Sequence, residues 1–294
     1  MSPAPRAFAP RDFAQLLAIA LIWGVNNVAA KIALGEMPAL LVVTVRFAIV
    51  LAALAWCLKP VPADRLKPFL LMLVLVGPLH FGVQYIGLAL ARDLAPMVVA
   101  MQLWAPASVL FAMLLLQERA GPLRLAGVAI AFAGVAAMTF DPVVLSQWGA
   151  LLLVGGAACA YGLGAVLVRR IGASVDAWAM QAWLALVTAP ALGLASFVFE
   201  DGQIEAARNA SWLAWGCVIF GAVVSSIVAN AFMFRLVQKY EVSRTTPYLL
   251  LTPVVSFTLA AAVLGDVITP RIVLGAALTM AGVALVALAE RRFS

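Results

Sequence analysis

Ten apolar stretches of about 20 residues, separated by short polar segments, fill nearly the whole of this 294-residue chain. A stretch of that length crosses a bilayer as an α-helix, whereas a barrel strand needs only about 10 residues of alternating polarity. Charged residues make up only 11% of the chain, too few to cover a soluble globule. The sequence therefore predicts an all-α integral membrane protein with ten spans. The predicted spans are roughly 13–33, 39–58, 69–90, 95–116, 122–140, 148–168, 177–199, 211–235, 246–264 and 271–289.

Lys and Arg are unevenly distributed among the segments that join the spans. With the N-terminus placed in the cytoplasm, fourteen of the 19 basic residues fall on the cytoplasmic side and four on the other. Such an excess is typical of cytoplasmic loops. We therefore predict a multi-pass protein of the bacterial inner (plasma) membrane with both termini in the cytoplasm. The same bias accounts for the net charge of +6, so no nucleic-acid partner is expected.

The two halves of the chain end in the same motif. It consists of an acid, a proline four residues later, a glycine five further on and a second glycine seven further on. The motif occurs as Glu118, Pro122, Gly127, Gly134 and again as Asp266, Pro270, Gly275, Gly282. Because each half holds five spans, the second half must be inverted relative to the first. We predict two inverted five-helix repeats, residues 1–143 and 144–294, around a central cavity.

These residues resemble the EamA branch of the drug/metabolite transporter superfamily. The resemblance rests on Trp23-Gly24 with Lys31 in span 1, Arg46 in span 2, and the two closing hairpins, and it covers nearly the whole chain. More narrowly, the sequence is similar to bacterial exporters of aromatic amino acids and methionine. The resemblance implies ten helices in inverted repeats and export of small metabolites. The second half has no arginine at the place of Arg46, so the halves differ chemically there.

Polar and aromatic side chains inside the spans are the candidates for a substrate site, because polar groups are costly in a bilayer. They lie on spans 1, 3, 4, 6, 8 and 9, in several cases four residues apart on one helix face. The candidates are Trp23, Asn27, His80, Gln84, Tyr85, Gln102, Trp104, Tyr161, Asn230, Tyr248, Thr252 and Ser256. The predicted hinges are Pro78, Pro106 and Pro253. The alternative for each polar group is a hydrogen bond within or between helices.

Two ionisable residues inside the spans leave alternatives open. Arg46 could bind a substrate carboxylate, extend toward the membrane surface or hydrogen-bond to helix carbonyls, and the sequence favours the last two. No Asp or Glu falls in the middle of a span, which disfavours a carboxylate proton relay. His80, the single histidine, could carry a proton, because its unperturbed pKa lies near neutrality.

The candidate side chains are aromatic rings, amides and hydroxyls, which suit a zwitterionic solute with an apolar side chain. We predict an inner-membrane exporter of small zwitterionic metabolites, foremost aromatic amino acids and methionine. It would work by alternating access as a facilitated pathway, without carboxylate-coupled protons. The alternative is an exporter of other metabolites or drugs of the same superfamily with His80-linked proton antiport. A structural or lipid-handling role is a further alternative, and a monomer is compatible with the sequence.

An enzyme is not expected, since the spans offer no nucleophile–base pair, no metal cluster and no paired carboxylates. Cys57, Cys159 and Cys217 lack metal-ligand spacing. No phosphate-binding GxxxxGK[ST] loop occurs. We therefore expect no catalytic residues, no metal and no cofactor. The expected partners are the transported solute and the lipid bilayer.

Overall fold

The computed structural model describes residues 9–117, 121–171, 175–239 and 249–290, and in these ranges the fold is all-helical, as predicted. Ten apolar helices follow one another within the described residues. They are α1 (Pro10–Leu34), α2 (Ala39–Cys57), α3 (Ala63–Leu90), α4 (Leu94–Leu116), α5 (Pro122–Thr139), α6 (Trp148–Val168), α7 (Ala177–Phe199), α8 (Trp212–Met233), α9 (Leu251–Leu264) and α10 (Pro270–Ala289). All except α9 are long enough to cross a bilayer. The chain is a multi-pass membrane protein.

The helices pair in a way that relates the first five to the last five. Helix α1 packs against α8 and α9, and α6, its counterpart in the second half, packs against α3 and α4. Helix α2 packs against its own counterpart α7, and α5 against its counterpart α10. A two-fold axis relating two inverted halves produces this pattern. The predicted two-repeat fold is confirmed, while the boundary between residues 143 and 144 stays a prediction.

The repeated glycines lie where α5 and α10 cross. A Cβ atom on Gly127 would lie 2.8 Å from the carbonyl oxygen of Gly282, and one on Gly275 would lie 2.7 Å from that of Gly134. The Thr279 hydroxyl lies in the same contact and donates a hydrogen bond to the carbonyl of Gly275 at 2.8 Å. The two backbones can approach this closely only because these positions lack side chains.

The third helix of each half contains a π-helical stretch. In α3 it covers Leu75–Leu79 and includes Pro78, and in α8 it covers Phe220–Ala229. A π turn closes its hydrogen bond over one more residue than an α turn and occurs frequently at functional sites. The sequence predicted an irregularity at Pro78 but none in α8, where no proline marks the place.

A third π turn, Ala260–Leu264, lies near the end of α9. It explains a small difference between the two repeats. Pro106 lies twelve residues before Glu118, whereas Pro253 lies thirteen residues before Asp266. The extra residue is accommodated in the π turn, so the motif that follows keeps its place. Glu118 itself lies outside the described residues.

Carboxylates tie together the loops at the end of the bundle that is predicted to face outward. Glu200, after α7, accepts hydrogen bonds from the backbone N–H groups of Leu40 and Leu41 at 2.8 and 3.1 Å. It thus satisfies donors at the start of α2 that have no partner within that helix. Glu36 likewise accepts from the N–H and hydroxyl of Ser211, at 2.6 and 2.7 Å. These two hydrogen bonds lower the pKa of Glu36.

Candidate substrate site

Five rings from four helices form a continuous row through the middle of the bundle. The row runs from Phe47 on α2 through Phe81 and His80 on α3 to Tyr161 on α6 and Trp104 on α4. Neighbouring ring centroids are 4.8, 4.8, 4.8 and 5.7 Å apart in that order. These separations are those of edge-to-face and tilted ring contacts. We call these five residues the aromatic row.

His80 lies in the middle of the aromatic row and is oriented by α6. Its Nδ1 atom lies 2.8 Å from the carbonyl oxygen of Ala157. Since a carbonyl can only accept, Nδ1 must carry the hydrogen in this contact. The other ring nitrogen, Nε2, has no hydrogen-bond partner among the described residues and is the atom available to a solute.

Gln84 and Tyr85, one turn beyond His80, point in different directions. The Gln84 Nε2 atom is 3.6 Å from the sulfur of Met101, and its Oε1 atom is buried without a partner among the described residues. Tyr85 is buried, and its hydroxyl accepts a hydrogen bond from Arg46. Gln84 therefore keeps a free acceptor near the row, while Tyr85 belongs to the surroundings of Arg46.

Arg46 lies at the Phe47 end of the row and is 6% exposed. Its Nε and Nη2 atoms donate to the hydroxyl of Ser226 at 3.1 and 2.9 Å, and Nη1 donates to the hydroxyl of Tyr85 at 2.5 Å. The guanidinium carbon is 5.7 Å from the centroid of Phe81, within cation–π range. The side chain neither extends to the membrane surface nor binds helix carbonyls, the two roles that the sequence favours.

Asn27 and Ser256 join α1 to α9. The Asn27 amide donates to the Ser256 hydroxyl at 3.0 Å, and that hydroxyl donates to the carbonyl of Gly24 at 3.1 Å. Ser256 is fully buried. Thr252, one turn earlier, has a buried hydroxyl without a partner among the described residues. In this conformation, Asn27 and Ser256 stabilise the contact between α1 and α9, and the Thr252 hydroxyl remains without a hydrogen bond among the described residues.

The remaining aromatic and amide candidates are spread more widely. Trp23 packs against the cluster formed by Leu16, Ile19 and Leu236. Asn230 is half-buried where the π stretch of α8 ends. Tyr248 lies outside the described residues.

The predicted hinge prolines coincide with irregular backbone or with the start of a helix segment. Gln102 lies at the interruption between Leu94–Met101 and Trp104–Leu116 within α4. Pro106 offers no N–H to the carbonyl of Gln102, and this carbonyl accepts instead from Ala105 at 3.3 Å. Pro253 lies in the first turn of α9, and Pro78 lies in a π turn. Whether they act as hinges stays a prediction.

The family is decided by comparison with known proteins. The model of the EamA-like transporter family matches residues 13–140 and 147–288. This chain belongs to that family. Like the other members of the EamA-like transporter family, it is a membrane transporter, as its resemblance implied.

Two relatives of this EamA transporter carry the name "Probable amino-acid metabolite efflux pump". One, from Salmonella typhimurium, is 27% identical over 278 residues, which cover 90% of this chain and 91% of the relative. The other, from Escherichia coli, is 27% identical over 282 residues, covering 92% and 93%. A solved crystal structure matches with a TM-score of 0.61 at 21% identity and covers 98% of this chain and all of that one. At that identity the structure supports the fold alone.

Sequence reasoning missed three residues of this EamA transporter that adjoin the site. Phe47 and Phe81 complete the aromatic row, but a phenylalanine in an apolar span gives no signal. Gln181 on α7 donates from Nε2 to the carbonyl of Ser226, beside Arg46. Its signal was available, since it is an amide within an apolar span. Among the described residues, no group of three or more His, Cys, Asp or Glu could hold a metal ion.

Proposed function

We propose that this EamA transporter exports small zwitterionic metabolites, foremost aromatic amino acids and methionine. The observation that carries the proposal is the aromatic row, which offers ring faces and edges to an apolar solute side chain. Aromatic rings contact such side chains favourably, and they also contact the methionine thioether. The names of the two efflux-pump relatives support the same class of solute.

The polar groups around the row suit a zwitterion better than a phosphate ester. They comprise one guanidinium, amides and hydroxyls, whereas phosphate groups are bound by several Arg or Lys. The cations of Arg65 and Lys67 lie near the start of α3, whereas the row residues His80 and Phe81 lie past its midpoint. A single cation among amides matches the single carboxylate of an amino acid.

The proposed mechanism is alternating access between the two inverted halves. The row draws its rings from both halves, because Tyr161 belongs to the second and the others to the first. Rocking of the halves, with Pro78, Pro106 and Pro253 at points of irregular backbone, would expose the row to one side at a time. We place the protein in the bacterial inner membrane with both termini in the cytoplasm. Transport down the solute gradient suffices, because the spans contain no central Asp or Glu.

Counterflow of labelled phenylalanine and methionine in proteoliposomes tests this function. Trp104→Leu should reduce phenylalanine uptake roughly 3- to 10-fold, as expected for aromatic contacts worth about 0.5–1.5 kcal/mol. Trp212→Leu is the matched control, because Trp212 is 94% exposed at the start of α8. Uptake of sugar phosphates without uptake of either amino acid would refute the proposal.

Alternating access has its own test at the contact between Glu36 and Ser211. A Glu36→Cys, Ser211→Cys variant joined by a short cleavable crosslinker should stop counterflow, and cleavage should restore it. The native Cys57, Cys159 and Cys217 are replaced by Ala beforehand, and each variant with one introduced cysteine, treated in the same way, serves as the control. Counterflow that continues at full rate in the crosslinked protein would contradict a rocking motion at this end.

A second candidate is His80-linked proton antiport of other metabolites or drugs. The observation that favours it is the position of His80 in the middle of the row with Nε2 available. An imposed pH gradient separates the two candidates, because facilitated flux is indifferent to the gradient and antiport follows it.

A further inference from the structure

Arg46 is a buried cation that lacks a buried anion. Among the described residues, the ion pairs are Lys59 with Asp176 and Arg65 with Asp64, and all four side chains are substantially exposed. A guanidinium has five N–H donors. Three of those of Arg46 are used, and they go to the neutral hydroxyls of Ser226 and Tyr85. Because isolated buried charge is strongly unfavourable, this site is suited to receive an anionic group.

Gln181 supplies a hydrogen-bond acceptor next to Arg46. Its Nε2 atom donates to the main-chain carbonyl of Ser226. A carbonyl can only accept, so this contact fixes which end of the amide is nitrogen. The remaining atom, Oε1, is buried and has no partner among the described residues. Gln181 is itself 6% exposed. Its Oε1 atom is therefore a buried acceptor that is suited to a donor group of a bound solute.

Both groups converge on Ser226 in the π stretch of α8. Arg46 binds its hydroxyl and Gln181 binds its carbonyl, so unused donors and an unused acceptor are held by one residue. An α-amino acid carries its carboxylate and its ammonium on one carbon. We propose that Arg46 and Gln181 form the head-group site of the transported amino acid. Arg46 binds the α-carboxylate, and Oε1 of Gln181 accepts from the α-ammonium.

Gly221 and Phe81 border this head-group site. Gly221, also in the π stretch, faces Arg46, and a Cβ atom there would lie 3.5 Å from Nη1 and 3.1 Å from Oδ1 of Asn26. The ring of Phe81, which belongs to the aromatic row, lies within cation–π range of the Arg46 guanidinium. A solute bound by its head group can therefore lay its side chain along the aromatic row.

The head-group site joins the two halves of the transporter. Arg46 is on α2 and Gln181 on α7, and these helices are counterparts that pack against each other. A bound zwitterion would bridge them. The inference rests on the proposed function and assigns its solute specificity to two named side chains.

Three probes that differ only in the head group test the inference. L-phenylalanine has both charges, L-phenylalaninol lacks the carboxylate and 3-phenylpropanoate lacks the ammonium. Each competes with labelled L-phenylalanine for binding to purified protein. Wild type should prefer phenylalanine over phenylalaninol by roughly 10- to 150-fold, the range of a hydrogen bond to a charged group. Arg46→Gln should abolish this preference and leave phenylalaninol binding unchanged.

A second variant separates head-group binding from folding. Gln181→Leu should abolish the preference for phenylalanine over 3-phenylpropanoate while keeping that over phenylalaninol. Arg46→Lys, which keeps the charge but loses the planar fork, replaces Arg46→Gln if that variant does not fold, and it should retain part of the preference. Arg208→Gln is the control, because Arg208 is exposed in a loop helix.

The outcomes distinguish this inference from the function on which it rests. If wild type binds phenylalanine and the preference over phenylalaninol persists undiminished in Arg46→Gln, or in Arg46→Lys where that variant replaces it, the head-group site is refuted and the exporter stands. If wild type binds neither phenylalanine nor methionine, the proposed function fails and the inference with it. A purely structural Arg46 would weaken all three probes equally.

Discussion

Gly127 of α5 lies directly against Gly282 of α10, and the contact between Gly134 and Gly275 repeats it with the roles of the two repeats exchanged. Within the motif, Gly127 corresponds to Gly275 and Gly134 to Gly282. The counterparts of two glycines in contact are therefore in contact with each other as well, as an isologous contact requires. The close crossing of α5 and α10 places the two-fold axis of the fold between them.

Gly127→Ala should destabilise the crossing by about 1–3 kcal/mol, because the added methyl group would overlap the backbone of α10. Thermal unfolding of the detergent-purified protein measures this. Gly156→Ala in α6 is the matched control, since nothing lies within 4 Å of a Cβ there. Equal melting temperatures for both variants would contradict the close crossing.

Asn27 and Ser256 should behave as a coupled pair in stability. Asn27→Ala and Ser256→Ala each break the same hydrogen bond between α1 and α9, which is worth about 0.5–1.5 kcal/mol. The double variant should lose less than the sum of the single variants. Strict additivity would mean that the two side chains do not interact. Solute preference should be unchanged in Ser256→Ala, because the hydroxyl is fully used between helices.

The contact between Glu36 and Ser211 should weaken in acid. The pKa of Glu36 in the folded protein lies below its ordinary value of 4.5, because Ser211 donates two hydrogen bonds to the carboxylate. The contribution of this contact to stability is therefore complete above about pH 4.5, and it is lost as the pH falls through the lowered pKa of Glu36. The protection factor of the Ser211 amide in hydrogen exchange, which corrects for the intrinsic pH dependence of the exchange rate, should fall over this interval in wild type. Glu36→Gln should remove the pH dependence, and Glu205→Gln, at an exposed position, should leave it intact.

His80 should be needed for its Nδ1 hydrogen bond and dispensable as a proton carrier. In His80→Asn, the amide can still donate toward the carbonyl of Ala157, whereas in His80→Leu it cannot. We expect His80→Asn to retain phenylalanine counterflow that is indifferent to a pH gradient, with lower counterflow in His80→Leu. Wild-type flux that follows the gradient, together with loss of this response in both variants, would instead identify His80 as the proton carrier.

The positions of the helices could be predicted from the sequence because a bilayer imposes them. Long apolar stretches with short polar connections leave no other helical arrangement, and the observed helices begin and end within a few residues of the predicted spans. The π turns could be predicted from the sequence only in part. Pro78 marks one, but those in α8 and α9 depend on how neighbouring helices pack, and this information is not local.

The candidate site could be predicted only in part. His80, Trp104 and Tyr161 stood out because imidazole, indole and phenol rings are uncommon inside spans, and the structure brings these three together. Phe47 and Phe81 gave no signal, since phenylalanine is an ordinary lipid-facing or core residue. The position of Arg46 was visible but its direction was not, because the hydroxyl of Ser226 that holds it lies 180 residues away in the chain.

Arg46 has no arginine at the equivalent place in the second half, and this asymmetry follows from having both repeats in one polypeptide. If the halves were separate identical subunits, every substitution would appear twice, and an arginine at this place would face a second arginine across the axis. Fusion removes that restriction. One copy can hold a cation that the other lacks, so a polar solute can be bound in a single orientation at the centre of a nearly symmetric scaffold.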